Sequence, residues 1–91
     1  MSYRIEATKK YMKDVAKAKA RGLDVEELLG VVGMLAEGKE LPPELKDHPL
    51  KGNYKGCREC HVHSDWLLIY SKDKKIKLVT LVRTGTHSDL F

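Results

Sequence analysis

Three strand-like segments follow one another in the second half of this sequence, and the turns between them are short. The segments span residues 53–62, Trp66–Ser71 and Ile76–Arg83, so the intervening turns have three and four residues. Turns of that length form β-hairpins, which join neighbouring strands running in opposite directions. The segments therefore predict a mainly antiparallel sheet, against which the rest of the chain must pack.

Two helices are predicted before this sheet. Residues 8–21 form the first, and Gly22 is suited to end it in a left-handed conformation. Asp24 and Glu27 have the spacing of a capping box for the second helix, which Gly38 ends. Apolar side chains recur at helical spacing and predict the buried faces: Tyr11, Val15 and Ala18 in the first helix, and Val25, Leu28, Leu29, Val32 and Leu35 in the second.

A further strand is predicted over residues 2–6, where Tyr3 and Ile5 alternate with polar neighbours. Residues 39–52, with two consecutive prolines, form a connector. The order is β-α-α-β-β-β in one domain, residues 1–91, of the α+β class. Two helices so close in sequence cover one face of the sheet, so the opposite face is the expected place for a site.

Length and charge narrow the class of protein. The longest apolar run, Trp66–Tyr70, has five residues, far fewer than the ~20 that a membrane helix needs. The N-terminus has no apolar signal-peptide core, so a cytoplasmic protein with reduced thiols is expected. The net charge of +4 suits a polyanion or an acidic protein partner, and Lys46, Lys51 and Lys55 contribute to it in the middle of the chain.

The stretch Cys57-Arg58-Glu59-Cys60-His61 has the spacing of a haem-attachment motif, half a zinc site or a redox pair. On a strand, however, Cys57, Glu59 and His61 share one face, while Cys60 lies on the other. The two sulfurs then diverge, and there is no second pair of cysteines for zinc. We therefore expect no metal and no other cofactor, with Cys60 in the core and Cys57 half-exposed.

All four histidines lie after residue 47, in the half of the chain that holds the hairpins. Imidazoles with a carboxylate and an arginine can cleave RNA without a metal. Histidine exchanges protons near neutral pH, and the permanent positive charge of arginine stabilises a phosphate. Trp66 and Phe91 are candidates for stacking on an unpaired base, or for core packing.

Three motifs carry a resemblance to a known family: DHPLKGNYKG at 47–56, RECHVHSDWLLIY at 58–70 and RTGTHSDLF at 83–91. With this order and spacing, the sequence resembles the YafQ branch of the RelE/ParE superfamily of bacterial type II toxins. The resemblance implies a metal-independent endoribonuclease that cuts messenger RNA in the A site of the 70S ribosome. It also implies 2′,3′-cyclic or 3′-phosphate and 5′-hydroxyl products, and an antitoxin, expected to be of the ribbon-helix-helix type.

The resemblance also implies roles for individual residues. His87 is the expected general acid, and His48 or His61, oriented by Asp65, the general base, unless Asp65 itself transfers the proton. Arg83 would stabilise the phosphate, and Phe91 and Trp66 would stack on the substrate. Contacts with RNA or the ribosome are expected at Lys46, Lys51 and Lys55. His63 has no role in this set and is expected to be a turn residue. Two other readings stay open: a non-catalytic module that binds RNA or protein, and a metal-binding domain.

Overall fold

The computed structural model describes residues 2–91, which fold into a five-stranded sheet with three helices. The elements in chain order are β1 (Arg4–Ala7), α1 (Lys9–Ala20), α2 (Val25–Ala36), β2 (His48–Pro49), β3 (Arg58–His63), β4 (Trp66–Asp73), β5 (Leu78–Gly85) and α3 (His87–Leu90). Short 3₁₀ turns at Pro43–Leu45 and Gly52–Tyr54 flank β2. Within residues 2–91, no helix combines the length and the apolarity needed to cross a membrane.

The strands are arranged in the order β1-β5-β4-β3-β2. The strands β2 to β5 pair in antiparallel fashion, whereas β1 runs parallel to β5 at the edge of the sheet. The α+β class and the mainly antiparallel sheet are confirmed. Two helices follow β1 in the chain, so no tight hairpin joins β1 to the next strand. Parallel strands need a long connection of this kind, and β1 pairs in parallel with the last strand, β5.

Side-chain caps and glycines set the limits of the two long helices. Thr8 Oγ1 accepts a hydrogen bond from Tyr11 N at 3.0 Å at the start of α1, and Asp24 Oδ1 accepts one from Glu26 N at 3.0 Å at the start of α2. Gly22 follows α1 with a φ of +83°, the left-handed conformation expected of it. The helix boundaries are therefore local properties of the sequence.

The main core lies between the two long helices and one face of the sheet. Its buried side chains are Tyr11, Ala18, Leu28, Val31, Leu35, Cys60, Val62, Trp66, Leu68, Tyr70, Val79 and Leu81. The opposite face carries a smaller cluster in which Leu67 and Ile69 pack against Leu90 of the C-terminal tail and against Leu50 and Tyr54 of the connector. The second face is thus partly covered by the connector and the tail, which bring the site residues to it.

Five predicted features differ from the structure. The first strand spans Arg4–Ala7, and the one predicted over 53–62 begins only at Arg58, because the preceding residues form a 3₁₀ turn and Gly56 adopts a φ of +91°. Ile76 lies in the turn between β4 and β5 and is 60% exposed. Leu29 is 58% exposed because the sheet contacts the neighbouring stripe of α2, which includes Leu28, Val31 and Leu35. The connector contains the two-residue strand β2, since a proline at a sheet edge needs no ladder hydrogen bond.

Candidate active site

The first part of the site is a carboxyl group between two imidazoles. β2 pairs with β3 so that His48 lies directly opposite Glu59, and His61 lies two residues further along β3 on the same face. Glu59 Oε1 is 3.5 Å from His48 Nε2 and 3.9 Å from His61 Nε2. Glu59 is only 3% exposed, so the imidazoles face a carboxyl group that water barely reaches.

Backbone carbonyls fix the other nitrogen of each of these imidazoles. His48 Nδ1 is 2.7 Å from the Lys46 carbonyl oxygen, and His61 Nδ1 is 3.2 Å from that of Ser64. A carbonyl only accepts hydrogen bonds, so both Nδ1 atoms carry a proton and donate it. In the neutral imidazole, Nε2 then has no proton. A hydrogen bond between Nε2 and Glu59 therefore forms only if a further proton is present on the ring or on the carboxyl group.

The second part of the site joins the tip of the β3–β4 hairpin to the C-terminal tail. Asp65 Oδ1 lies 3.1 Å from His87 Nδ1 and 3.4 Å from the His87 backbone nitrogen. Both side chains are more than half exposed. The carboxylate thus holds the Nδ1 side of the ring and leaves Nε2 of His87 available to a substrate.

The two parts meet on one surface. The rings of His61 and His87 have their centroids 6.4 Å apart, close enough for both to reach one phosphodiester. Phe91 stacks at a tilt on His87 at 5.6 Å and is 61% exposed, so one side of its ring remains available. Tyr54 supports Phe91 edge-on at 5.5 Å and donates a hydrogen bond to the Leu90 carbonyl at 3.2 Å.

Arg83 is tied to the first helix. Its Nε and Nη2 donate to Asp14 at 2.7 and 3.0 Å, and Asp14 also accepts a hydrogen bond from the Thr84 backbone nitrogen. This pairing raises the pKa of Arg83, which is permanently charged in any case. A register shift between β4 and β5 leaves Val82 unpaired just before it. The Asp14 pairing leaves both N–H groups of Nη1 and one of Nη2 for a phosphate, and the phosphate-binding role remains a prediction.

The structure contradicts the stacking role of Trp66. Its ring is 3% exposed, lies in the core beneath the helices and donates Nε1–H to Thr84 Oγ1 at 2.9 Å. No face of the ring is open to a base. Trp66 shares the core face of β4 with Leu68 and Tyr70, so the structure supports core packing, the alternative that the sequence leaves open.

The cysteines behave as strand geometry predicts. Cys60 is fully buried in the main core, whereas Cys57 is half-buried in the smaller cluster on the opposite face, and both are free thiols. Burial raises the pKa of Cys60 to about 12 and also raises that of Cys57. Within residues 2–91, no group of three or more histidine, cysteine or acidic side chains has an arrangement that would hold a metal ion.

The remaining predicted residues lie outside these contacts. Lys46, Lys51 and Lys55 are exposed along the connector, where a role in binding RNA stays a prediction. His63 is exposed in the hairpin and lies 3.4 Å from Glu27 of α2. Glu59 was given no role from the sequence, although alternation already places it on the face of His61. Its burial on that face, beside His48 from a different strand, is the signal that the fold adds.

A cavity of about 610 Å³ lies elsewhere, on the helix side of the sheet. Arg58, Asp47 and Tyr70 line it, and Asp47 accepts hydrogen bonds there from both of the other side chains. The histidines are absent from its lining. The histidines of the site lie instead on the surface formed by the hairpin and the tail.

Comparisons with known proteins agree with this fold. The profile of the family described as "Bacterial toxin of type II toxin-antitoxin system, YafQ" matches residues 3–91. The mRNA interferase toxin YafQ of Escherichia coli K12 is 43% identical over 88 residues, which cover 96% of this chain and 94% of that protein.

Solved structures extend the likeness to three dimensions. The E. coli DinJ–YafQ toxin-antitoxin complex contains a chain that is 41% identical, with a TM-score of 0.90 and coverage of 100% of this chain and 99% of that chain. A metal-bound toxin from Helicobacter pylori is 46% identical, with a TM-score of 0.89 and full coverage of both chains. The motifs, the fold and the matched residues agree, and this chain belongs to the YafQ family of bacterial toxins of type II toxin-antitoxin systems.

Proposed function

We propose that this protein is an endoribonuclease that cleaves messenger RNA on the ribosome and so inhibits translation. One observation carries the proposal: His87, paired with Asp65, lies beside His61 with 6.4 Å between ring centroids, and Phe91 flanks the pair. The E. coli relative is named an mRNA interferase toxin, which agrees with this chemistry.

The proposed reaction is an in-line transesterification. A base removes the proton of the 2′-hydroxyl, and the 2′-oxygen attacks the neighbouring phosphorus. The bond to the 5′-oxygen breaks, and an acid donates a proton to that oxygen. The products are a 2′,3′-cyclic phosphate and a 5′-hydroxyl, and hydrolysis of the cyclic ester gives the 3′-phosphate. Each proton-transfer group contributes roughly 10²–10⁴-fold to such a rate.

His87 is the general acid in this proposal. Its Nδ1 is held by Asp65, whose carboxylate stabilises the protonated imidazole, so that Nε2 can donate to the leaving oxygen. The base is His61 or His48, each of which has its Nε2 directed at Glu59, a carboxyl group able to share the proton that the base accepts.

Two residues bind rather than transfer protons. The N–H groups of Arg83 that do not donate to Asp14 would bind the developing phosphorane charge, with Asp14 holding the guanidinium in place. The open face of Phe91 would stack on an unpaired base next to the scissile bond. The exposed lysines at 46, 51 and 55 would contact phosphates of messenger or ribosomal RNA.

An antitoxin is the second partner in the proposal. The E. coli relative has been crystallised with DinJ as a toxin-antitoxin complex. We therefore propose that this chain is held inactive by a cognate antitoxin, and that this antitoxin is a ribbon-helix-helix protein. The site of action of both partners would be the bacterial cytoplasm.

His87→Ala tests the proposal directly. The variant should lose about 10²–10⁴-fold in the single-turnover rate of messenger RNA cleavage on programmed ribosomes. His63→Ala is the matched control and should retain the wild-type rate. His63 lies in the β3–β4 hairpin with His61, but it pairs with Glu27 of α2, away from the site.

The same assay separates the competing readings. Mapping the RNA ends should give 5′-hydroxyl termini. Toxin that has been treated with EDTA and then separated from it should still cleave messenger RNA on ribosomes kept in Mg²⁺. The EDTA treatment matters because one relative has been crystallised with a metal. Loss of cleavage after this treatment would favour chemistry at a tightly bound metal, and RNA binding without cleavage by the wild type would favour a non-catalytic binding module.

A further inference from the structure

The C-terminal tail carries His87 and Phe91. An ion pair attaches this tail to the first helix, although the two segments are far apart in the sequence. Arg21, the C-cap residue of α1, donates from Nη1 to Asp89 Oδ2 at 2.7 Å and from Nη2 to Asp89 Oδ1 at 3.1 Å. Two parallel hydrogen bonds between a guanidinium and a carboxylate fix both the distance and the orientation of the pair. Lys17, one turn earlier, lies 3.5 Å from the same carboxylate.

Asp89 also organises the tail itself. Its Oδ2 accepts a hydrogen bond from Thr86 N at 3.0 Å, and Thr86 Oγ1 accepts one from Asp89 N, which makes a capping box around α3. Residues 87 and 88 lie inside this box. The position of Asp89 therefore determines where the short helix, and with it His87, lies relative to β5.

The approach of Asp89 to β5 is close. A Cβ atom at Gly85 would lie 2.9 Å from Asp89 Oδ2 and 3.0 Å from its Cβ, so only glycine leaves room for the carboxylate. Hydrogen bonds from Arg21 first, and from Thr86 second, hold the pKa of Asp89 well below its usual range. The ion pair is thus fully charged at neutral pH.

A chain of four residues at the end of a protein is ordinarily mobile unless something holds it. Here Tyr54 and the Leu90 side chain hold the far end of the tail, while Asp89 holds the middle. Arg21 attaches the tail to α1, 68 residues away in the sequence, through the shorter of the two contacts that this helix makes with Asp89.

We propose that Arg21 is a positioning residue for RNA cleavage, which acts through Asp89 to hold His87 and Phe91 against the β3–β4 hairpin. This inference rests on the proposed ribonuclease function. Arg21 does not touch the reacting groups in this proposal; it keeps the His87–Asp65 contact in place.

Arg21→Ala should lower the single-turnover rate at saturating toxin by about 10-fold or more, because small displacements of a catalytic group cost that much. The cleavage rate of Arg21→Lys should lie between those of the wild type and Arg21→Ala, since lysine keeps the charge but not the paired hydrogen bonds. Lys19→Ala is the matched control: it removes one positive charge from the same helix end, and Lys19 forms no ion pair with the tail among the described residues. It should leave the rate unchanged.

A double-mutant cycle separates positioning from simple surface charge. If Arg21 acts through His87, Arg21→Ala should have little further effect in a His87→Ala background. An equal fold-loss in both backgrounds would overturn the proposal, since it would show that Arg21 acts independently, for example as a contact with ribosomal RNA.

Hydrogen exchange tests the attachment without any activity. The amides of Leu90 and Phe91 donate to Thr86 and His87 in the tail, and they should exchange faster in Arg21→Ala than in Lys19→Ala, at unchanged melting temperature. Equal exchange in the two variants would overturn the proposal. Failure of the wild type to cleave RNA would refute the proposed function, whereas the exchange experiment would still decide whether Arg21 holds the tail.

Discussion

Each proposed catalytic imidazole has its Nδ1 atom bound to an oxygen of the protein. For His48 and His61 that oxygen is a backbone carbonyl, and for His87 it is the Asp65 carboxylate. Binding at Nδ1 fixes the tautomer and leaves Nε2 as the working atom in all three rings. The difference lies beyond Nε2: two rings face the buried Glu59, and the third faces outward to the substrate.

Glu59→Gln tests the role of that buried carboxyl group. The variant keeps the size of the side chain but removes the group that can share a proton with His48 and His61. We expect a loss of about 10-fold or more in the cleavage rate, on the scale of one acid–base group, with the fold retained as judged by circular dichroism. Glu27→Gln removes the carboxylate that pairs with exposed His63 and is the control. Wild-type cleavage by Glu59→Gln would contradict the assignment.

The sequence predicts these residue-level features unevenly. Alternation on β3 correctly separates Glu59 and His61 from Cys60. It does not decide between base stacking and core packing for Trp66, which is buried because the two long helices cover that face of β4. It also gives no partner for Arg83, since Asp14 lies 69 residues away and only the packing of α1 on β5 brings them together.

At the scale of elements, the helices illustrate what periodicity can and cannot show. Residue type alone predicts the cap Asp24 and the left-handed Gly22, because caps are local. Of the predicted Asp24–Glu27 capping box, α2 forms only the half that Asp24 supplies. Periodicity predicts a wider buried face on α2 than the structure shows, because the apolar pattern does not reveal how much of that face the sheet covers. Leu28 is fully buried and Leu29 is not, although both belong to the same apolar pattern.

These two leucines predict a sharp difference in stability. Leu28→Ala should lower the free energy of unfolding by about 2–5 kcal/mol, since it leaves a cavity between α2 and the sheet. Leu29→Ala, one residue away and exposed, should change it by less than about 0.5 kcal/mol. Urea denaturation of both variants measures the difference. Similar losses would mean that Leu29 is covered in solution, as it would be at an interface.

At the scale of the whole molecule, the sheet order brings together residues from three distant places. β2 supplies His48, the β3–β4 hairpin supplies His61 and Asp65, and the segment after β5 supplies His87. The sequence shows only that the four histidines lie in the half of the chain that holds the hairpins. It does not predict that the N-terminal helix holds the arginine and the tail of the site, because ion pairs across some 70 residues leave no local pattern.

The two free cysteines provide a measurement of how this assembly opens. Cys57 is half-buried in the smaller cluster, whereas Cys60 is fully buried beneath the helices. Only a thiolate reacts readily with an aromatic disulfide reagent such as dithionitrobenzoate, and burial raises the pKa of Cys60 to about 12.

We therefore expect Cys57 to react first in the native protein. Cys60 should react only through global unfolding, at reagent concentrations low enough that refolding is faster than the reaction, so that its rate reports the free energy of opening. A Cys57→Ser variant isolates the slow reaction, and the opening free energy derived from it should equal the value from urea denaturation. Reaction of Cys60 at a much lower free energy would show that β3 separates from the helices while the rest of the sheet stays folded. The Glu59 cluster would then not be rigidly held, because Cys60 is the next residue on the same strand.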